Sequence, residues 1–97
     1  MRFDWDKNKN ISNINKHGIS FKDASEIFFD KDTIYIPDPD HSEMEDRWIA
    51  IGNIKFLEII VVVFVDKSSD REEVLRIVSA RKATKKEQKQ FVLKQIN

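Results

Sequence analysis

The chain has 97 residues, and its 17 basic residues balance 17 acidic residues, so its formal net charge is zero. This length allows a single domain over residues 1–97 with one modest core. The neutral total argues against a protein that coats nucleic acid through bulk charge alone. The absence of cysteine excludes disulfides and cysteine nucleophiles. Together with the lack of an apolar signal segment at the start, it favours a cytoplasmic location. The longest apolar run, 59–65, is too short to span a bilayer, so no membrane association is expected.

Charge is distributed unevenly along the chain. Residues 7–22 hold four lysines and no acid, residues 23–46 hold nine acids and one lysine, and residues 76–97 hold seven cations and one glutamate. If the two basic ends meet in the fold, they form a local cationic patch. Such a patch attracts phosphate at short range.

The first third of the chain predicts a strand and two helices. The segment FDWD alternates apolar and acidic residues, as a short strand does. A helix is predicted over about residues 7–17, with a narrow apolar stripe at Ile11 and Ile14 and an end at Gly18, where a left-handed residue is favoured. A second short helix follows over about residues 21–29, and a polar capping residue precedes each helix.

The rest of the chain predicts four strands and a final helix. The strands correspond to TIYIPD, RWIAIGNI, FLEIIVVVFV and EVLRIVSAR, and the third is apolar on both faces and therefore central. The final helix begins at Thr84 with a Thr-x-x-Glu capping box and is expected to bury Phe91, Val92 and Ile96. The order β-α-α-β-β-β-β-α predicts a small α+β domain with helices packed on a mostly antiparallel sheet.

Three motifs occur in a fixed order along the chain. FDWDKNKNISNINKHGISF contains Phe3, Trp5, Asp6, Lys9, Asn13, Lys16, His17, Gly18, Ser20 and Phe21. DHSEMEDRWIAIG contains His41, Ser42, Glu45, Arg47, Ile51 and Gly52. RIVSARKATKKEQKQF contains Arg76, Ser79, Ala80, Arg81, Ala83, Thr84 and Glu87. Together these motifs resemble the BrnT family of toxins, with Lys7 in place of a frequent Pro and Phe91 in place of a frequent Tyr.

The resemblance implies a ribonuclease toxin of a type II toxin–antitoxin system with a RelE-like fold. It also implies a cognate BrnA-type antitoxin that binds the toxin and represses their operon, so that DNA is contacted only through the antitoxin. Cleaving RNA without a metal requires one group that takes the 2′-hydroxyl proton and another that protonates the 5′-oxygen. Cations must also stabilise the phosphorane.

Arg81 is the first candidate for stabilising the phosphorane. An arginine fork matches two phosphate oxygens, and Arg81 is expected where the last strand meets a helix N-terminus, a favourable place for phosphate. The alternative is a surface arginine, or a salt bridge to the acidic middle of the chain. Without the resemblance, the residue type alone favours that alternative.

His17 and Lys16 are the second candidates, with His17 transferring a proton and Lys16 as its electrostatic partner. A cation in the last turn of a helix is also stabilising by itself, so a structural role for His17 is equally open. His41 lies in the acidic loop and is either functional or an ordinary surface histidine. Glu45 and Arg47 point the same way at a strand start. They are candidates for base and phosphate ligand, although the pattern favours a simple ion pair.

Several further cations are candidates for attracting the RNA backbone: Lys9, Arg76, Lys82, Lys85 and Lys86. The lysines around the final helix also fit a solvated face. Strand alternation places Arg76 on the face opposite to Arg81, unless a bulge intervenes. Thr84 and Glu87 are expected to cap the final helix rather than to act in catalysis. The histidines and carboxylates lack the spacing of metal ligands, so we expect neither a metal nor a cofactor.

Two other functions stay open at this point. One is a catalytically silent module that clamps an antitoxin and tunes operon repression, for which the neutral charge and Phe91 leave room. The other is direct DNA binding through the C-terminal helix.

Overall fold

The structure, a computed structural model, describes residues 1–40, 45–55 and 58–96. Its elements in chain order are β1 (Arg2–Trp5), α1 (Lys7–His17), α2 (Phe21–Ala24) continuing into a 3-10 helix (Ser25–Phe29), β2 (Ile34–Pro37), β3 (Arg47–Ile54), β4 (Glu58–Asp66), β5 (Val74–Lys82) and α3 (Lys85–Ile96). The predicted α+β order is confirmed. Of the helices in the described ranges, none is long and apolar enough to cross a bilayer.

The five strands form one sheet in the order β1-β5-β4-β3-β2. β1 pairs with β5 in parallel and the other three pairs are antiparallel, as the prediction of a mostly antiparallel sheet requires. β4 lies in the centre, and consecutive side chains at Ile60, Val61 and Val62 are all buried. This explains why the strand is apolar on both faces.

Each face of the sheet has its own core. The larger core joins the sheet to α2 and the 3-10 helix, and the predicted core residues Trp5 and Trp48 pack against it. The smaller core, on the other face, contains Ile51, Val61, Ala83 and Phe91, and Phe91 comes from α3. The alternation in β3 separates these two cores, because Ala50 faces the larger one and Ile51 the smaller one.

The predicted apolar stripe of α1 is wrong. Ile11 is 49% exposed and Ile14 is 41% exposed, whereas Asn13 is the buried residue of the helix. The Asn13 amide nitrogen donates to the carbonyl oxygens of Ile19 and Ala80, both at 2.8 Å, and its oxygen accepts from the Ala80 N–H at 3.1 Å. β1 ends opposite Ile77. Beyond that point, the Asn13 amide supplies the hydrogen bonds that a neighbouring strand would make to the edge of β5.

The prediction that α3 buries three apolar side chains is correct for Phe91 and wrong for Val92 and Ile96. Phe91 is buried, but Val92 is 49% exposed and Ile96 is 74% exposed. Successive helical residues turn by about 100°, so a helix that contacts the sheet with only a narrow face points these two side chains to the side and outward. The lysines of α3 are exposed as predicted.

Candidate active site

A cleft of about 490 Å³ lies where the ends of α1 and β5 meet the start of α3, and it is lined by Lys16, His17, Arg81, Lys82 and Thr84. The two basic ends of the chain therefore meet in the fold. Four of the five lining side chains are those of basic residue types, and a concentration of this kind attracts phosphate at short range.

Local hydrogen bonds fix the end of α1 that carries Lys16 and His17. Asp6 caps the start of the helix by accepting the Lys9 N–H at 3.0 Å, and this bond lowers the pKa of the Asp6 carboxyl. Gly18 ends the helix in the left-handed conformation at φ 71°, with its N–H bonded to the Ile14 carbonyl at 2.8 Å. Both ends agree with the sequence prediction. Together with the Asn13 bonds to β5, they position the last turn of α1 beside Arg81.

The Arg81 guanidinium is held by the Glu87 carboxylate. Nη1 donates to Oε1 at 2.8 Å and Nη2 donates to Oε2 at 2.9 Å, which is a bidentate pair. These hydrogen bonds raise the pKa of Arg81 and, as their main effect on the partner, lower the pKa of Glu87 to about 2. Glu87 is therefore ionised at neutral pH and has no proton to give as a general acid.

Glu87 also caps α3, as the sequence predicts. Its Oε1 accepts the Thr84 N–H at 2.9 Å, and the Thr84 hydroxyl accepts the Glu87 N–H at 3.2 Å, which completes the capping box. The salt bridge considered as an alternative role for Arg81 exists, but its partner is Glu87 rather than an acid of residues 23–46. The physical reason is proximity, because the helix start brings Glu87 back over the end of β5.

Arg76 lies on the same face of the sheet as Arg81, so the predicted opposite orientation is wrong. Between β4 and β5 the register shifts: Ser79 pairs with Val63, but Ile77 pairs with Phe64. Val78 is the extra, unpaired residue of a β-bulge, and this bulge places Arg76 on the same face of the sheet as Arg81. Arg76 is nevertheless outside the cleft and pairs with Asp4 at 2.7 Å.

Glu45 and Arg47 also lie outside the cleft. Arg47 donates from Nε and from Nη2 to Oε1 of Glu45. The ion pair favoured by the sequence pattern is therefore present. Arg47 pairs across the sheet with Val65, whereas Arg81 pairs with Val61. Four residues along a strand correspond to about 13 Å, which separates this pair from the cleft. His41 lies outside the described residues.

The other predicted RNA-binding residues divide between the cleft and its surroundings. Lys82 lines the cleft and has Glu58 at 3.6 Å. Lys9 is exposed at the far end of α1, and Lys85 and Lys86 are exposed in the first turn of α3. Within the described ranges, no three His, Asp or Glu side chains lie together in a way that would hold a metal ion.

The role of Asn13 was missed by the sequence reasoning, although the residue belongs to the first motif. A polar residue between two isoleucines in a helix predicted to be amphipathic was the available signal. Its partner Ala80 is 67 residues away in the chain, so local patterns could not identify the contact.

The fold and the cleft define a class: a small α+β protein with a cationic cleft at the end of a sheet strand. A family model described as the ribonuclease toxin, BrnT, of type II toxin–antitoxin systems matches residues 5–87. The chain therefore belongs to the BrnT family of ribonuclease toxins, as its three motifs indicate.

A solved structure agrees with this family. The crystal structure of the Brucella abortus ribonuclease toxin BrnT is similar to this chain with a TM-score of 0.69 and 35% sequence identity, over 88% of this chain and 99% of that one. No curated protein matches the chain. Membership of a type II toxin–antitoxin family implies that the protein has an antitoxin partner.

Proposed function

We propose that the protein is an endoribonuclease toxin that cleaves RNA by attack of a 2′-hydroxyl on the adjacent phosphate, with the phosphate bound in the cleft of Lys16, His17 and Arg81. The observation that carries the proposal is that Arg81 and His17 line the same cleft. A phosphate ligand and a proton-transfer group are two of the functions that this reaction needs.

In this reaction the 2′-oxygen forms a bond to phosphorus and the bond from phosphorus to the 5′-oxygen breaks. One proton leaves the 2′-hydroxyl and one reaches the 5′-oxygen, which yields a 2′,3′-cyclic phosphate and a 5′-hydroxyl. His17 serves one of these transfers, because histidine is the residue type in the cleft that exchanges protons near neutral pH. The residues of the chain supply this chemistry without a metal.

Arg81 stabilises the negative charge that builds up on the phosphorane. Its fork already makes a bidentate bond to a carboxylate, and a phosphate offers two oxygens in a similar arrangement. Because Glu87 occupies one side of the fork, the phosphate must compete for it or approach the donors that Glu87 leaves free. Lys16 and Lys82 add positive charge from the two neighbouring elements.

The remaining predicted residues act at a distance from the scissile phosphate. Lys85 and Lys86 are well placed to attract the RNA backbone beyond the cleft, because they directly follow Thr84, which lines the cleft. Lys9 adds positive charge at the start of α1. Arg76 contacts RNA only where a phosphate displaces Asp4, its present partner. The ion pair of Glu45 and Arg47 supports a structural role at the start of β3 rather than a place at the reacting phosphate.

A BrnA-type antitoxin is the proposed partner, and DNA is contacted only through it. One observation favours the second candidate, a catalytically silent antitoxin-binding module: Glu87 already neutralises the fork of Arg81. A cleavage assay separates the two functions.

The test is cleavage of RNA by the purified protein with Mg²⁺ and, separately, with EDTA, compared with the variants Arg81→Ala and Arg71→Ala. Arg71 is a matched control because it is an exposed arginine in the loop before β5, away from the cleft. We expect Arg81→Ala to lower the rate by about 100-fold or more, the usual cost of losing a group that stabilises transition-state charge, with Arg71→Ala unchanged.

Equal cleavage by wild type and Arg81→Ala would contradict the role of Arg81. No cleavage by any form, either with Mg²⁺ or with EDTA, would favour the silent module. Loss of wild-type cleavage in EDTA would contradict the metal-independent mechanism.

A further inference from the structure

The C-terminal helix α3 exposes aliphatic side chains that nothing in the described part of the chain covers. Val92 and Leu93 are each 49% exposed and Ile96 is 74% exposed. Beside them a groove of about 300 Å³ separates α3 from the edge strand β2 and is lined by Ile34, Ile36, Gln90, Leu93 and Lys94. These three aliphatic side chains and the groove together are called the α3 surface below.

Few contacts hold α3 on the sheet. Phe91 is its buried residue, and the Gln95 side chain donates to the Asp32 carbonyl at 2.9 Å. Clustered exposed aliphatic residues on a small protein mark interaction sites, and their burial by a partner is favourable. A partner on the α3 surface would therefore gain apolar contacts and stabilise the helix at once.

The charge of α3 selects the chemistry of that partner. The helix carries four exposed lysines: Lys85, Lys86, Lys89 and Lys94. Its acidic residue, Glu87, is already paired with Arg81. The positive charge beside the aliphatic side chains is thus not compensated within the helix, which favours an acidic partner by electrostatic complementarity.

Two other occupants fit this surface less well. A second copy of the chain would bring two lysine-rich helices together, and like charges in contact are unfavourable. RNA would be attracted by the lysines, but its charged backbone would leave Val92, Leu93 and Ile96 uncovered, and these side chains offer its bases no aromatic ring to stack on. An acidic amphipathic protein segment satisfies both the charge and the aliphatic side chains.

We propose that the antitoxin binds the α3 surface through an acidic amphipathic segment, an inference that rests on the proposed function as a toxin. The 12 residues of α3 extend about 18 Å and begin next to Thr84 in the cleft. A segment lying along α3 therefore reaches the phosphate site, so binding and inhibition are joined in one contact.

The test measures the Kd of the purified full-length cognate antitoxin for two matched double variants by calorimetry. Leu93→Ser/Ile96→Ser removes aliphatic side chains from the α3 surface, and Ile11→Ser/Ile14→Ser removes a similarly exposed pair from α1. Both pairs are exposed, so both variants should stay folded, which circular dichroism checks. We expect at least tenfold weaker binding for the α3 variant, no change for the α1 variant, and weaker, salt-dependent binding for Lys94→Glu.

Wild-type affinity of the α3 variant, or a loss confined to the α1 variant, overturns the proposal. RNA cleavage by each variant without antitoxin is measured in parallel. If the α3 variant loses antitoxin binding while wild type cleaves no RNA, the docking surface stands and the proposed nuclease activity fails. If wild type cleaves RNA and the α3 variant binds antitoxin normally, the nuclease activity stands and the docking surface fails.

Discussion

At Glu87, one carboxylate accepts hydrogen bonds from the Arg81 guanidinium and from the Thr84 backbone N–H. It therefore connects the end of β5 to the start of α3 and sets the direction in which the Arg81 fork points. A glutamine at this position would keep nearly the same shape and could still accept from Thr84, but it would lose the charge. This makes Glu87→Gln a precise probe of the pair.

We expect Glu87→Gln to lower the free energy of unfolding at pH 7 by about 1 kcal/mol, because the charged pair and part of the cap are weakened. The value is modest since Arg81 is 41% exposed and solvent screens the pair. The Glu87 pKa falls from 4.5 to about 2 on folding, so its stabilisation is full above pH 4.5 and is lost as the pH falls towards 2.

Urea denaturation of wild type and Glu87→Gln between pH 2 and pH 7 checks this prediction. The difference in the free energy of unfolding should be largest at neutral pH and shrink as the solution becomes acidic. A difference that stays constant over this range would show that the Glu87 charge does not stabilise the folded protein.

Helix α1 is attached to the sheet by the amide of Asn13 and not by an apolar face. The amide makes three hydrogen bonds to backbone groups of Ile19 and Ala80, all of them buried. It thereby satisfies the edge of β5 where β1 has ended, and it fixes the distance between the last turn of α1 and Arg81. The position of the last turn of α1 in the cleft therefore depends on this side chain as well as on the helix caps at Asp6 and Gly18.

We expect Asn13→Ala to lower the free energy of unfolding by about 2–3 kcal/mol, because it leaves buried backbone groups of Ala80 unpaired. RNA cleavage should fall as well, since Lys16 and His17 lose their fixed position. Asn15→Ala, on the exposed side of the same helix, is the control and should change neither quantity. Thermal unfolding and the cleavage assay together check this prediction. An Asn13→Ala protein as stable as the control would show that the hydrogen bonds of the Asn13 amide do not stabilise the fold.

Signals confined to neighbouring residues predicted most of the elements. Gly18 and the Thr84–Glu87 box mark helix ends through contacts three or four residues away, and the alternation in β3 separates the two cores. Features that depend on distant partners were not predictable in this way. The bulge at Val78 exists only in pairing with β4, and the exposure of Val92 depends on how little of α3 the sheet covers. The residues of the cleft could be proposed from the sequence, but the hydrogen bonds between the Asn13 side chain and β5 could not.

Across the whole molecule, charge separates along β5. Arg81 and Lys82 lie at its end beside the cationic cleft, while Glu73 precedes its start and, with Asp66, borders a second cleft on the far side. The strand has 9 residues, so its two ends are about 26 Å apart. A chain with no net charge thus has a basic end, where we propose that RNA binds, and an acidic end away from it.

This separation predicts a shallow but measurable salt dependence of RNA binding. For a non-cleavable 2′-O-methylated single strand, the slope of log K against log salt should become less steep by about 0.7 in Arg81→Ala, the effect of one lost phosphate contact. Arg71→Ala, at the acidic end, should keep the wild-type slope. Fluorescence anisotropy at several salt concentrations measures both, and an unchanged slope for Arg81→Ala would argue that Arg81 contacts no phosphate.

The bulge at Val78 divides β5 into two parts with independent registers. The first part, with Arg76, pairs with β1. The second part, with Arg81, is hydrogen-bonded by the Asn13 amide at Ala80 and leads into α3. Removing Val78 would leave the inward and outward side chains of both parts unchanged. Removing a residue elsewhere in the strand would turn one part inside out. We therefore expect deletion of Val78 to disturb the fold less than deletion of any other residue of β5, because it lies between the part of the strand that pairs with β1 and the part that borders the cleft.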